Sequence, residues 1–173
     1  MNLFLKVSIR YSLIAFSFIF LMFIISIFLD KNPIVYTTNI IFIGPLLAIF
    51  LFLSIKTYKQ LNPLGLRFWQ GFSIGMLYTL FFVFLFATFL FIYGEFFDTQ
   101  YFDAYRQMII EKIRAGKEML TEQIGKDGYE EYLKSGESSN IRIIGSLSVN
   151  NLLIGMVITP LISLFMRTTE PKL

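Results

Sequence analysis

The amino-acid sequence predicts an all-α integral membrane protein with four transmembrane helices and an amphipathic helical insert between the third and the fourth. Hydrophobic residues make up 55% of the 173 residues, and Phe alone contributes 21, which a small soluble core could not enclose. Four stretches without a charged residue are long enough to cross a bilayer core about 30 Å thick, which takes roughly 20 helical residues. These stretches lack the apolar–polar alternation of β-barrel strands.

The four predicted spans are bounded by charged residues and belong to a single membrane domain, residues 1–173. They cover residues 11–29, 34–55, 68–94 and 143–166. The first connection, from Asp30 to Pro33, is so short that the first two spans must form an antiparallel hairpin. Pro33 suits the first turn of the second helix, where its missing N–H costs nothing. The first apolar stretch is too long for a signal peptide, and no small-residue cleavage site follows it.

Basic residues are concentrated on one side of the predicted membrane. Because an even number of spans puts both termini on the same side, that side also holds the second connection. The basic residues there are opposed only by Glu170; they are Lys6, Arg10, Lys56, Lys59, Arg67, Arg167 and Lys172. The positive-inside rule therefore predicts a multi-pass membrane protein with both termini in the cytoplasm and the insert, residues 95–142, outside.

Two spans carry small or polar residues at intervals of four, so that each set lies on one helical face. The third span has Gly71, Gly75 and Thr79, and the fourth has Asn151, Gly155, Thr159 and Ser163. Small residues let two helix backbones approach closely, so these seven residues predict a helix-packing or partner interface, most simply with each other. A substrate groove lined by the same side chains is the alternative.

Proline residues are expected to kink the second and fourth spans. Pro160 frees the carbonyl of Met156, and Gly44-Pro45 has the same effect in the second span. Broken helices occur in transporters. However, the four spans contain no ionisable Asp, Glu, Lys, Arg or His, and coupled carriers usually keep such a residue inside the membrane. The sequence therefore disfavours ion-coupled transport.

The insert has helical periodicity. Asp98 could cap a helix that begins at Thr99. The apolar side chains of that helix share one face; they are Phe102, Tyr105, Ile109 and Ile113. Such an amphipathic helix could lie on the bilayer surface or fold back over the ends of the spans. Glycines at positions 116, 125 and 128 are expected to interrupt the helical pattern, and residues 135–140 are expected to turn back to the membrane.

Residues that carry chemistry are scarce in this sequence. It has no Cys and no His, which excludes thiol nucleophiles and removes the commonest general base and metal ligand. A membrane enzyme would have to depend on insert carboxylates such as Glu95, Asp98 or Asp103. The acidic residues of the insert alternate irregularly with basic ones, as on a solvated helix, and match no Ca²⁺-binding loop. We therefore expect no catalytic residues, no cofactor, no metal and no nucleic-acid partner.

The stretch from Asn62 to Gly75, with Gly65 and the run Phe68-Trp69-Gln70-Gly71-Phe72, resembles the bacterial membrane family called domain of unknown function 4199. The resemblance continues through Met119-Leu120-Thr121-Glu122-Gln123-Ile124, Gly155, Leu161-Ile162 and Arg167. It supports the predicted architecture, and the family has no established functional residues to carry over. The resemblance also implies a location in the bacterial inner (cytoplasmic) membrane and a setting beside membrane-associated glycosyltransferases that use polyprenyl-phosphate lipids.

Two functions remain open from the sequence. The first is a small inner-membrane accessory or scaffold protein that binds a larger membrane protein or assembly, with a polyprenyl-phosphate-dependent glycosyltransferase as a candidate partner. The alternative is a lipid-binding or lipid-translocating membrane protein, which the kinked helices and Phe-rich faces favour. Membrane lipid is an expected partner in both cases, and the sequence leaves a homo-oligomer open.

Overall fold

The computed structural model describes residues 2–97 and 100–168, and this part of the chain contains seven α-helices and no β-strand. The helices are α1 (Leu3–Phe28), α2 (Pro33–Thr38), α3 (Ile40–Leu61), α4 (Phe68–Phe96), α5 (Gln100–Ala115), α6 (Lys117–Ser135) and α7 (Asn140–Met166). Four of them, α1, α3, α4 and α7, are long and apolar enough to cross a membrane. The predicted all-helical, multi-pass membrane class is confirmed.

The four long helices define two ends of a bundle. The start of α1 and the end of α7 lie at what we call the termini end, and α5 and α6 extend from the opposite, insert end. The proposed helix start at Asp98 and Thr99, and the charges of Glu170 and Lys172, fall outside the described residues.

The second predicted span, residues 34–55, divides into two helices at Asn39. The helical backbone is interrupted at Asn39 rather than at Gly44-Pro45, since α3 continues through Pro45 as a helix. The backbone of Asn39 is extended, with ψ 123°, and its side-chain oxygen accepts a hydrogen bond from the backbone N–H of Ile41 at 3.0 Å. Asparagine is among the strongest N-cap residues. The helix that Asn39 caps begins and ends about six residues later than the predicted span, so the candidate membrane-spanning stretch is Ile41–Leu61.

A tight turn joins α1 to α2. Asp30 adopts the left-handed backbone conformation, with φ 52°. Its N–H bonds to the carbonyl of Ile27 at 3.1 Å, and the N–H of Lys31 bonds to the carbonyl of Ser26 at 2.9 Å. This is the Schellman arrangement, which satisfies carbonyls that a helix end leaves free. The chain then reverses, as the short connection predicts, and Pro33 occupies the first turn of α2.

The core of the bundle is centred on α4, which packs most extensively on α7 and α1. Tyr78, Phe82 and Phe86 are fully buried and follow one another at four-residue intervals along α4. Their rings stack in turn, with centroid separations of 6.5 Å and 6.0 Å. Phe23 of α1 and Phe102 of α5 belong to the same buried cluster. The hydrophobic core therefore continues from the spans into the first turns of the insert.

The second connection is tied to the end of α7. Leu66 and Thr168 exchange two hydrogen bonds, from the Thr168 N–H to the Leu66 carbonyl at 2.8 Å and from the Leu66 N–H to the Thr168 hydroxyl at 2.9 Å. Gly65 has φ 76°, and a Cβ there would lie 2.6 Å from that hydroxyl. Lys59 donates to the carbonyl of Met166 at 2.8 Å, where a positive charge also complements the helix dipole.

Candidate functional site

The two small-residue faces predicted in the third and fourth spans lie against each other, on α4 and α7. The facing pairs are Gly71 with Ser163, Gly75 with Thr159, and Thr79 with Gly155. A Cβ built on Gly75 would lie 2.5 Å from Cγ2 of Thr159, and one on Gly71 would lie 3.1 Å from Oγ of Ser163. All six residues are buried. Contacts this close leave no room for a substrate groove between the six residues.

Asn151, the seventh residue of this set, is also buried, with 4% of its surface exposed. It lies one turn before Gly155 on α7, towards the insert end, and it lines a cleft as well as sharing the buried face. Six of the seven residues are therefore engaged between α4 and α7, whereas Asn151 also faces a cleft.

Shape rather than hydrogen bonding holds α4 against α7. The Thr79 hydroxyl donates to the carbonyl of Gly75 at 2.9 Å, within its own helix. The hydroxyls of Thr159 and Ser163 are buried and have no hydrogen-bond partner within the described residues. Small residues allow this close van der Waals contact, which drives helix association in lipid, where the hydrophobic effect between helices is absent.

The first turns of α5 rest on the insert end of the bundle. Phe102 is fully buried, and a Cβ on Gly94 of α4 would lie 2.7 Å from its ring. Asn32 caps α2 with its side-chain oxygen, which accepts from the N–H of Ile34 at 3.0 Å, while its side-chain nitrogen donates to the carbonyl of Tyr101 at 2.9 Å. These contacts place the start of α5 over the ends of the spans, which is one of the two arrangements open from the sequence.

Arg106 connects α5 to the start of α7. Its guanidinium donates to the side-chain oxygen of Asn140 at 2.7 Å and to the carbonyl of Ser138 at 3.3 Å, and it also pairs with Asp103. Tyr105 precedes Arg106 on α5. Burial raises the pKa of the Tyr105 phenol, and a smaller effect from its polar interaction with Thr38 lowers it. The phenol is therefore neutral at physiological pH. Sequence reasoning missed this role of Arg106 because Ser138 and Asn140 are more than thirty residues away along the chain.

The second half of the insert, α6, packs mainly on α5. It contains one non-helical point at Gly125, with φ 74°, whereas Gly128, also expected to interrupt it, is helical. Apolar side chains are exposed along it; they are Met119 (59%), Ile124 (47%) and Tyr132 (50%). Across the described residues, no three acidic side chains are grouped in a way that could hold a metal ion.

Two clefts open along α7 near the insert end. The first, which we call the insert cleft, has a volume of about 320 Å³ and lies between α5, α6 and α7. Its polar lining includes Tyr105, Tyr132, Ser135, Ser138, Arg142 and Ser146. The second, which we call the span cleft, has a volume of about 330 Å³ and lies between α2 and α7. Its polar lining is Thr38, Asn150 and Asn151.

The clefts were not predicted, although some of their residues stood out in the sequence. Asn150 and Asn151 are the strongest polar groups of the fourth span, and two amide side chains within an apolar span are unusual enough to be noticed in the sequence. The opposite wall of the span cleft forms because the helix breaks at Asn39, which leaves Thr38 at the end of α2. The helical repeat of the sequence does not indicate that this break lies beside α7.

Comparison with known proteins agrees with the sequence resemblance. A family model described as "Protein of unknown function (DUF4199)" matches residues 10–168, nearly the whole chain, which confirms the resemblance seen from Asn62 to Gly75. No curated protein and no solved structure matches the chain.

Proposed function

This chain belongs to the DUF4199 family, and we propose that it is a non-enzymatic accessory protein that binds a larger membrane protein through α6. The observation that carries this proposal is the exposed apolar surface of α6 outside the four spans. Apolar side chains exposed to water are unfavourable, and contact with a partner protein would bury them. The helix is held to the rest of the molecule mainly through α5, so most of its surface is free for a partner.

The distribution of these side chains favours a protein over the bilayer surface as the partner. A helix that lies in the membrane interface needs its apolar residues on a single face. Met119 and Ile124 lie about 140° apart around the helix axis, at 3.6 residues per turn. The non-helical backbone of Gly125 also changes the direction of the helix immediately after Ile124. A partner protein can follow such a surface, whereas a flat bilayer cannot.

The proposed setting is the bacterial inner membrane, with both termini in the cytoplasm and α6 outside. The described part of the termini end supports this orientation because its charged residues are all basic; they are Lys6, Arg10, Lys56, Lys59, Arg67 and Arg167. The family resemblance suggests a polyprenyl-phosphate-dependent glycosyltransferase as the partner.

Site-specific photo-crosslinking in native membranes tests the proposal. A photoreactive amino acid at Met119 or Ile124 is expected to give the same protein adduct from both positions. The matched control is Val149 of α7, which is similarly exposed but lies on a span and is expected to react with lipid. Adducts with lipid alone from the two α6 positions, or no adduct shared between them, would contradict a protein partner.

A second candidate function, lipid binding, is favoured by a separate observation. The insert cleft and the span cleft both expose polar side chains at the side of a membrane-spanning helix. A polar side chain that faces hydrocarbon without a partner is unfavourable by about 1–3 kcal/mol. A ligand with polar groups at this depth would satisfy them.

A further inference from the structure

We propose that the insert cleft and the span cleft together bind one anionic membrane lipid, with its phosphate at Arg142 and Ser146 and its ester groups near Asn150. This inference rests on the second candidate function and assigns it a site and a class of ligand. It is independent of the protein contact proposed for α6.

A stripe of three polar residues on α7 connects the two clefts. Arg142, Ser146 and Asn150 follow one another at intervals of four and are all exposed, so they share one helical face. Arg142 and Ser146 line the insert cleft, and Asn150 lines the span cleft one turn further along. The stripe is distinct from the packing face of α7, which is offset from it by one residue and buried against α4.

The opposite walls of the clefts are also continuous. Tyr105 of α5 lines the insert cleft and interacts with Thr38 of α2, which lines the span cleft. Apolar side chains lie between the polar ones, among them Ile109 and Ile143 in the first cleft and Leu147 in the second. A lining of hydroxyls and amides beside isoleucine and leucine fits an amphiphile better than it fits a free polar solute.

The spacing of the stripe matches the polar part of a phospholipid. At 1.5 Å per residue, Ser146 lies about 6 Å below Arg142 and Asn150 lies about 12 Å below it. Helical side chains lean towards the N-terminus of their helix, which for α7 is the insert end. This lean is common to all three side chains, so the Asn150 side chain stays about one turn, roughly 6 Å, deeper than that of Ser146. A bilayer lipid in the neighbouring leaflet presents phosphate and esters in that order.

Charge selects an anionic lipid over a zwitterionic one. Arg142 forms no salt bridge with any residue that the structure describes. An arginine recognises phosphate through a fork of two parallel hydrogen bonds. In phosphatidylcholine the phosphate charge is balanced by the choline within the same headgroup, whereas in phosphatidylglycerol it is not. An unpaired guanidinium at the cleft therefore favours phosphatidylglycerol.

Native mass spectrometry of the purified full-length protein tests the site. The delipidated protein is titrated with phosphatidylglycerol and, separately, with phosphatidylcholine. We expect one phosphatidylglycerol molecule to be retained preferentially, and Arg142→Gln to weaken its binding about tenfold, as the loss of a charge-assisted hydrogen bond predicts. Asn150→Leu is expected to weaken binding by a smaller factor, about threefold. Arg114→Gln, an equally exposed charge change on α5, is the matched control and is expected to have no effect.

Four results would overturn the proposal. Equal retention of both lipids by the unaltered protein would mean that the lipid is only annular. Unchanged phosphatidylglycerol binding by Arg142→Gln would remove the phosphate site, and unchanged binding by Asn150→Leu would remove the ester contact. Displacement of the retained lipid by millimolar inorganic phosphate would identify an ion site instead. Thermal unfolding of each variant shows that lost binding does not reflect lost folding.

Discussion

Replacing Gly155 by alanine is predicted to force α4 and α7 apart. The new Cβ would lie 2.9 Å from Cβ of Thr79 and closer still to the other side-chain atoms of that residue. Carbon atoms pack best at about 3.5–4.0 Å, so the helices must separate by on the order of 0.6–1 Å. Overpacking of a close-packed core by this amount destabilises a protein by about 1–3 kcal/mol. For a chain of this length that corresponds to a melting temperature lowered by about 2–12 °C.

The same helix offers a matched control at Gly145. A Cβ at Gly145 meets nothing within 4 Å, so Gly145→Ala is expected to be neutral or slightly stabilising through the better helix propensity of alanine. The assay is thermal unfolding of each variant in the same mild detergent. Equal melting temperatures for Gly155→Ala and Gly145→Ala would refute the interface geometry.

A double-mutant cycle sharpens this test. Thr79→Ala removes the two atoms nearest to the new Cβ, so it is expected to relieve part of the loss in Gly155→Ala. The expected coupling energy is about 0.5–3 kcal/mol, the range found for residues in direct contact. Simple additivity of the two changes would show that they do not meet across the interface.

Two further predictions concern the insert and the orientation. Asn32→Asp keeps the acceptor that caps α2 but loses the donor to the Tyr101 carbonyl. Amide hydrogens in the first turns of α5 should therefore exchange severalfold faster, while those of α2 should not. Unchanged exchange in α5 would show that this hydrogen bond does not hold the insert. Because the sequence has no Cys, Leu64→Cys and Glu130→Cys each introduce a single thiol at an exposed position. An impermeant maleimide applied to intact cells should label only the second, and the reverse pattern would invert the proposed topology.

The spans and their packing faces could be predicted because both depend on local regularities. An uncharged run of about 20 residues is sufficient to identify a membrane helix. A repeat of four places Gly71, Gly75 and Thr79 on one face without knowledge of the fold. What such a repeat cannot specify is the facing residue, and the structure supplies it by placing Thr159 against Gly75.

The interruption of the second span was harder to predict, because it lies at Asn39 and not at a proline. Pro45 lies in the second turn of α3, which continues through it as a helix. Asn39 breaks the span instead, because its side chain caps the new helix and the preceding hydroxyl of Thr38 bonds back to the carbonyl of Ile34. The same competition between side chain and backbone favours asparagine and threonine at helix ends in general. Only the combination of the two residues signals the break.

The structure also gives a role to residues that carry the family resemblance. Gly65 adopts a left-handed backbone in contact with Thr168, and the side chain of Asn62 donates to its carbonyl. The side chain of Gln70 accepts from the N–H of Arg67 at 2.9 Å and closes the first turn of α4. These residues shape the connection between α3 and α4 rather than a reactive centre, which explains why the resemblance indicates architecture without indicating chemistry.

The alternation of glycine and threonine between α4 and α7 also fixes how far one helix can slide along the other. A shift of one turn, about 5.4 Å, in one direction would bring Thr79 against Thr159, and in the other would leave Gly75 opposite Gly155 with a void. Neither position packs, so piston-like motion of α7 is blocked. Arg142 is therefore held at a constant depth relative to α4, and any ligand on that side of the bundle meets its charge at the same height.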